Sequence, residues 1–136
     1  MTTYLITGAN RGIGLELVRQ LKNRGEDVIA TCRSSSSELN ALSARVETDI
    51  DITSENSINK LCDNLKDTKV DVLIQNAGIF NSNLYQVEDP RSIVHLFEVN
   101  ALSPLLFVQA MLNNLSKPAK IALISSRMGS IEDNSS

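Results

Sequence analysis

Short apolar runs alternate along this chain with longer amphipathic stretches. Residues 4–7, 28–32, 70–74 and 120–124 are runs of strand length, and 45–50 is a weaker one. Between the first two, Ile13, Leu15, Leu17, Val18 and Leu21 gather mainly on one side of a helix over 13–24, and Gly25 follows as a stop. The serines at 34–37 can cap a short helix over 38–44, and Thr53 or Ser54 can cap another that reaches about Leu65. Asp89-Pro90 starts a helix that runs to about Leu115, since proline fits the first helical position. Residues 80–88 and the stretch after Ile124 read as loop. Four of the strands are nearly continuous apolar runs, the pattern of parallel strands covered on both faces. Strand–helix alternation with short connections predicts an α/β fold, a doubly wound parallel sheet in one domain without repeats or linkers.

Composition narrows the partners. A chain of 136 residues, 42% hydrophobic and 21% charged, can bury one core. Its net charge of −3 argues against a nucleic-acid partner, which favours a basic face. Cys32 and Cys62 match no metal-ligand spacing and are expected to be buried free thiols, with no metal site. No apolar run approaches membrane-spanning length, and the first residues lead straight into a strand without a targeting pattern. The expectation is a cytoplasmic protein with no membrane partner.

The first strand ends in "LITGANRGIG", with Gly8, Gly12 and Gly14 placed where strand hands over to helix. Gly8 can turn the chain, Gly12 leaves bare backbone for a pyrophosphate, and Gly14 lets the first helical turn pack on the strand. A helix N-terminus carries unpaired N–H groups and partial positive charge, so it attracts phosphate. The spacing is G-x-x-x-G-x-G, and no Gly-Lys-Ser/Thr follows, which disfavours an ATP-type loop.

This stretch resembles the T-G-x-x-x-G-I-G motif of the short-chain dehydrogenase/reductase family, which Thr7 to Gly14 match at every fixed position. Four more of the family's motifs are similar and in order. Asp51-Ile52 resemble its adenine-contacting pair after strand three, with Asp49 a near competitor. Gln75-Asn76-Ala77-Gly78 match three of four positions of N-N-A-G. Val99-Asn100 match mid-helix, and Ser125-Ser126-Arg127-Met128-Gly129 match Ser-Ser-x-x-Gly. The run "ISSRMGSI" looks most like the carbonyl-reductase and C-factor-like branch. The resemblance implies a Rossmann fold with strand order 3-2-1-4-5, its strands six and seven lying outside residues 1–136. It also implies a dinucleotide contacted by Gly8, Asn10, Arg11, Gly12, Ile13, Gly14, Asp51, Ile52, Asn76, Ala77 and Gly78.

Which dinucleotide depends on the end of strand two. An acid there binds the ribose hydroxyls of NAD, and a base accommodates the extra phosphate of NADP. Here the strand ends "ATCRSS", so Arg33 stands where the acid would be. Arg11 lies in the glycine loop, and Ser34 can add a hydroxyl. Two guanidiniums can grip a phosphate by forked hydrogen bonds. NADP is therefore expected over NAD; a merely solvated strand-end charge is the alternative for Arg33.

For chemistry, the resemblance implies hydride transfer between the nicotinamide and a small-molecule carbonyl or alcohol, with Asn100 and Ser126 as two members of an Asn-Ser-Tyr-Lys catalytic set. Ser125 and Ser130 are alternates for Ser126. Pro104, four residues after Asn100, has no N–H, so the Asn100 carbonyl loses its helical donor and a bound water or a kink is expected there. His95, the single histidine, lies in a predicted helix and reads as structural. Phe80 and Tyr85 are candidates for lining an apolar substrate pocket. The family's Tyr-x-x-x-Lys does not occur: Tyr4 is followed four residues on by Gly8, and Tyr85 by Asp89. Three readings stay open: an oxidoreductase of which these residues are the N-terminal portion, a non-catalytic dinucleotide-binding or regulatory module, and a methyltransferase with an adenosyl cofactor. Without the later strands, strand five would be a bare edge and the long helix would lack a neighbour, so a homo-oligomer, dimer or tetramer, is expected.

Overall fold

The computed structural model describes residues 1–79, 89–126 and 130–132. Elements follow in the order β1 (Thr3–Ile6), α1 (Gly12–Asn23), β2 (Asp27–Thr31), α2 (Ser37–Asn40), β3 (Arg45–Glu47), α3 (Glu55–Asn64), β4 (Val70–Gln75), α4 (Arg91–Phe97), a π turn (Glu98–Leu102), α5 (Ser103–Met111), a 3₁₀ turn (Leu112–Asn114) and β5 (Leu115–Leu123). Among the described residues the strands form one parallel sheet in the order β3-β2-β1-β4-β5, so the doubly wound architecture stands.

Side chains alternate along each strand, and each side of the sheet gets its own core. Leu5, Ile29 and Leu73 point to one face, where they meet Ile58, Leu61 and Leu65 around α3 and Phe107 and Met111 of α5. Ile6, Val28, Ala30 and Ile74 point to the other and meet Val18 and Leu21 of α1 and Leu39 of α2. Continuous apolar strands are thus the sequence form of a sheet buried twice over.

Several boundaries differ from expectation. β3 ends at Glu47 rather than at residue 50, because Asp49 takes a left-handed φ of 59° that no strand continues through. α2 is a single turn, capped by Ser36, and Ser43 is likewise left-handed (φ 57°) before residue 44. β5 begins at Leu115, five residues before the expected 120, and ends at Leu123. Its pairing with β4 is irregular between Val70 and Val72, where Lys117 and Pro118 intrude. Proline has no N–H for a ladder, which is why "LSKP" resembles a loop in sequence. β5 is also not covered on both faces: Ile121 and Leu123 are exposed. Of the two thiols, Cys32 is buried but Cys62 only half-buried, and burial raises the pKa of both.

The long helix also corrects an expectation. Arg91–Asn114 is 24 residues, long and apolar enough by length and composition to cross a membrane. Its stripe of Val99, Ser103, Phe107 and Met111 is buried on one side. The expected interruption before Pro104 takes the form of a π turn, whose hydrogen bonds skip five residues and so shift the helical frame just ahead of the missing N–H. Expectations for residues 80–88, Phe80 and Tyr85 among them, for 127–129 and for 133–136 lie outside the described residues.

Phe107 is fully buried and bridges α5 to the sheet. Phe107→Ala should lower unfolding free energy by about 3–5 kcal/mol, the usual cost of a large core cavity. Leu112→Ala, at a position 57% exposed, should change it by less than ~0.5 kcal/mol. Urea midpoints for the two variants check the difference.

Candidate functional site: a cleft at the carboxyl edge of the sheet

The end of β1 is tied to the end of β4 by one hydroxyl. Thr7 Oγ1, fully buried, accepts hydrogen bonds from the backbone N–H groups of Asn76 and Ala77, each at 3.0 Å. Asn76 Nδ2 donates in return to the Gly8 carbonyl at 3.0 Å. The first turn of α1 lies against this knot: a Cβ on Gly14 would stand 2.3 Å from the Gly8 oxygen and 2.6 Å from Asn76 Nδ2. At Gly12, by contrast, φ is +59° and a Cβ would meet nothing within 4 Å. The loop is therefore closed on its sheet side and open on its outer side. Arg11, the N-cap residue, makes no side-chain cap, and the first turn of α1 carries no acid. Such a terminus suits an anion.

Ser36 supports the loop from behind. Its Oγ donates to the Asn10 carbonyl at 2.7 Å and accepts from the Leu39 N–H at 3.2 Å. The serine run is thus partly a strut for the glycine loop.

A cavity of about 400 Å³ opens here. Gly8, Asn10, Arg11, Gly12 and Ile13 line it from the loop, Arg33 from the end of β2, Asp51 and Ile52 from beyond β3, and Asn76, Ala77 and Gly78 from beyond β4. Of the dinucleotide candidates, Gly14 and Ser34 are not in the lining; Gly14 is buried beneath the loop, and Ser34 is exposed. Asp51, not Asp49, reaches the cleft. Its carboxylate is fixed by the Thr53 hydroxyl at 2.7 Å and the Thr53 N–H at 2.9 Å. Those two bonds, and more weakly the Arg33 and His95 charges, hold its pKa below the usual carboxyl range.

His95 is a correction. Expected to be structural, it lies in α4 with a side chain 60% exposed and lines the same cavity as Arg33 and Asp51, with Nδ1 4.0 Å from Glu98 Oε1. The signal was present in its spacing: His95 lies one helical turn before Val99, which also lines the cleft.

Next to this cleft is a second cavity of about 660 Å³, which brings Asn100 and Ser126 together with Gly78, Ala101 and Leu105. Ser125 lines it too. Asn100 does not present a free amide. Its Oδ1 accepts from the Ile79 N–H at 2.9 Å and its Nδ2 donates to the Ile79 carbonyl at 2.7 Å. Gly78 leaves room for this contact, since a Cβ there would lie 3.1 Å from Asn100 Oδ1. Phosphate-type and reaction-type candidates thus share one edge of the sheet, where open parallel sheets hold ligands.

The family model for short chain dehydrogenases matches residues 2–135. The chain belongs to the short-chain dehydrogenase family. This short-chain dehydrogenase is 37% identical over 138 residues to the 1-hydroxy-2-glutathionyl-2-methyl-3-butene dehydrogenase of Rhodococcus sp. (strain AD45), covering 100% of this chain and 61% of that protein. It superposes on a short-chain dehydrogenase/reductase of Burkholderia multivorans solved with bound NADP, with TM-score 0.87 and 34% identity over 99% of this chain and 63% of that one. A carbonyl reductase of Pseudomonas aeruginosa PAO1 in complex with NADP gives TM-score 0.85 at 30% identity, over 96% of this chain and 64% of that one. The chain spans about three fifths of the length of these relatives.

Asp51 gives a direct test of the cleft's geometry. Its ordinary carboxyl pKa of 3.8 is depressed in the fold. Its contribution to stability is therefore complete above that value and lost as pH falls through the folded one. Thr53→Val removes the hydroxyl bond and keeps the backbone one. The Asp51 titration, followed by carboxyl-carbon NMR, should move up toward 3.8, and acid unfolding should begin at higher pH.

Proposed function

We propose that the protein carrying this chain is an oxidoreductase that transfers hydride between NADP(H) and a small-molecule carbonyl or alcohol. The observation that carries the reading is the charge pattern along the cleft. An α1 terminus without acid faces open space at Gly12, and Arg11 and Arg33 flank it with no carboxylate at the end of β2. The NADP complexes of the Burkholderia and Pseudomonas relatives support the same choice.

In this reading the α1 amides hold the pyrophosphate, and Arg11 and Arg33 hold the 2′-phosphate by forked charge-assisted bonds. Asp51 and Ile52 flank the adenine. NADP(H) supplies or takes up the hydride. Ser126 holds the substrate oxygen by a hydrogen bond, and its place in the cavity with Asn100 supports that role. Asn100 contributes by fixing the backbone at Ile79, because both ends of its amide are engaged there. A carbonyl reduction also needs a proton donor of tuned pKa. Neither Tyr4 nor Tyr85 has a lysine four residues on, so Asn100 and Ser126 account for only part of the chemistry.

Arg33→Ala should weaken NADPH binding roughly 10- to 100-fold, as expected for losing a charge-assisted contact. NADH binding should change by less than about twofold, because NADH lacks the 2′-phosphate. Calorimetric titration of the wild type and Arg33→Ala with both nucleotides decides it. Equal losses for the two nucleotides would remove Arg33 from the phosphate site, and tight NADPH binding without turnover of any carbonyl would favour a dinucleotide-binding module.

A further inference from the structure

Gln75 is the position at which the chain departs from the N-N-A-G pattern, and it sits at a junction of three elements. It is 4% exposed, at the last position of β4. Its backbone carbonyl accepts from the Ile124 N–H at 3.0 Å, which secures the end of β5 immediately before Ser125 and Ser126. Its side-chain Nε2 donates to the Pro104 carbonyl at 2.8 Å, which secures α5 immediately after the π turn that carries Asn100. Asn100 in turn grips Ile79, four residues beyond Gln75. The contacts close a ring: Gln75 to Pro104, through the π turn to Asn100, across to Ile79 and back along the backbone. An asparagine at position 75 would be shorter by one carbon–carbon bond, about 1.5 Å, and its amide would fall short of Pro104.

We propose that Gln75 is a positioning residue that sets the separation of the two segments bearing Asn100 and Ser126. This rests on the roles given to those two residues above. One bond from its main chain fixes the serine segment, and one from its side chain fixes the asparagine segment, so the two segments are joined through one residue. The extra methylene of glutamine is what lets its side chain reach Pro104 while its main chain stays in the sheet.

Gln75→Leu keeps the backbone bond to Ile124 and removes the one to Pro104. In the protein without nucleotide, amide hydrogen exchange at Ile79 should then speed up about tenfold, the effect of losing one hydrogen bond's worth of local stability. The Asn100 side-chain amide resonances should shift, and exchange at Leu5 and Ile29 should stay at the wild-type rate. Turnover of a carbonyl substrate should fall roughly 10- to 100-fold, the cost of a misplacement near 1 Å, with NADPH affinity within about twofold of wild type. Unchanged exchange at Ile79 together with unchanged Asn100 resonances would overturn the proposal. If Gln75→Leu does not fold, Gln75→Glu replaces it. A neutral carboxyl can donate to Pro104 and a carboxylate cannot, so its Ile79 exchange relative to wild type should recover as pH falls. A ratio independent of pH would overturn the proposal. A wild-type protein that binds no NADPH would overturn the cofactor reading alone, since Ile79 exchange judges Gln75 without nucleotide.

Discussion

The architecture of the cleft depends on how closely α1 approaches the ends of β1 and β4. Gly14 brings a helical backbone to within what would be 2.3 Å of a neighbouring carbonyl for any Cβ. That approach is possible because the polar groups beneath it are already paired. The Thr7 hydroxyl takes two backbone N–H groups, and the Asn76 amide takes the Gly8 carbonyl. Buried polar groups are tolerable only when satisfied. Here their satisfaction also fixes two strand ends relative to each other, which leaves the outer side of the loop bare for an anion.

From that knot the order spreads to the reaction side of the cleft. The residues after Asn76 run to Ile79, where Asn100 holds both backbone groups. A helix that kept regular α geometry up to Pro104 would lack a hydrogen bond there. The π turn lies at this mismatch, in the same turn that carries Asn100, and π turns are frequent at functional sites. Asn100 in this arrangement is less a free reagent than a clasp between helix and loop.

Much of this was legible in the sequence, and the rest fails for specific reasons. The sheet order follows from the family resemblance, and the burial of Leu5 and Ile6 on opposite faces from a nearly continuous apolar strand, because burial on two faces constrains every strand residue. The glycine loop, Arg33, Asp51 and the meeting of Asn100 with Ser126 at one edge also follow from the order of the motifs. The start of β5 was missed because Pro118 resembles a break, whereas at this register irregularity no ladder N–H is needed from it. The ends of β3 and α2 were missed because Asp49 and Ser43 adopt left-handed backbone, which a single sequence does not announce in residues other than glycine. For His95 the one mark in the sequence is its spacing, one helical turn before Val99, which places the two on the same side of the helix.

The double engagement of Ser36 has a consequence of a different kind. One oxygen caps the start of α2 through Leu39 and braces the glycine loop through Asn10. A hydroxyl can do both because it donates and accepts at once. Asparagine or aspartate would serve as a helix cap, but a carboxylate cannot donate to the Asn10 carbonyl, and an amide would have to point its oxygen and nitrogen in opposite directions. The helix-capping alphabet at this position is therefore narrowed by a loop twenty-six residues earlier. The serine segment is coupled to the anion-facing loop and cannot vary independently of it.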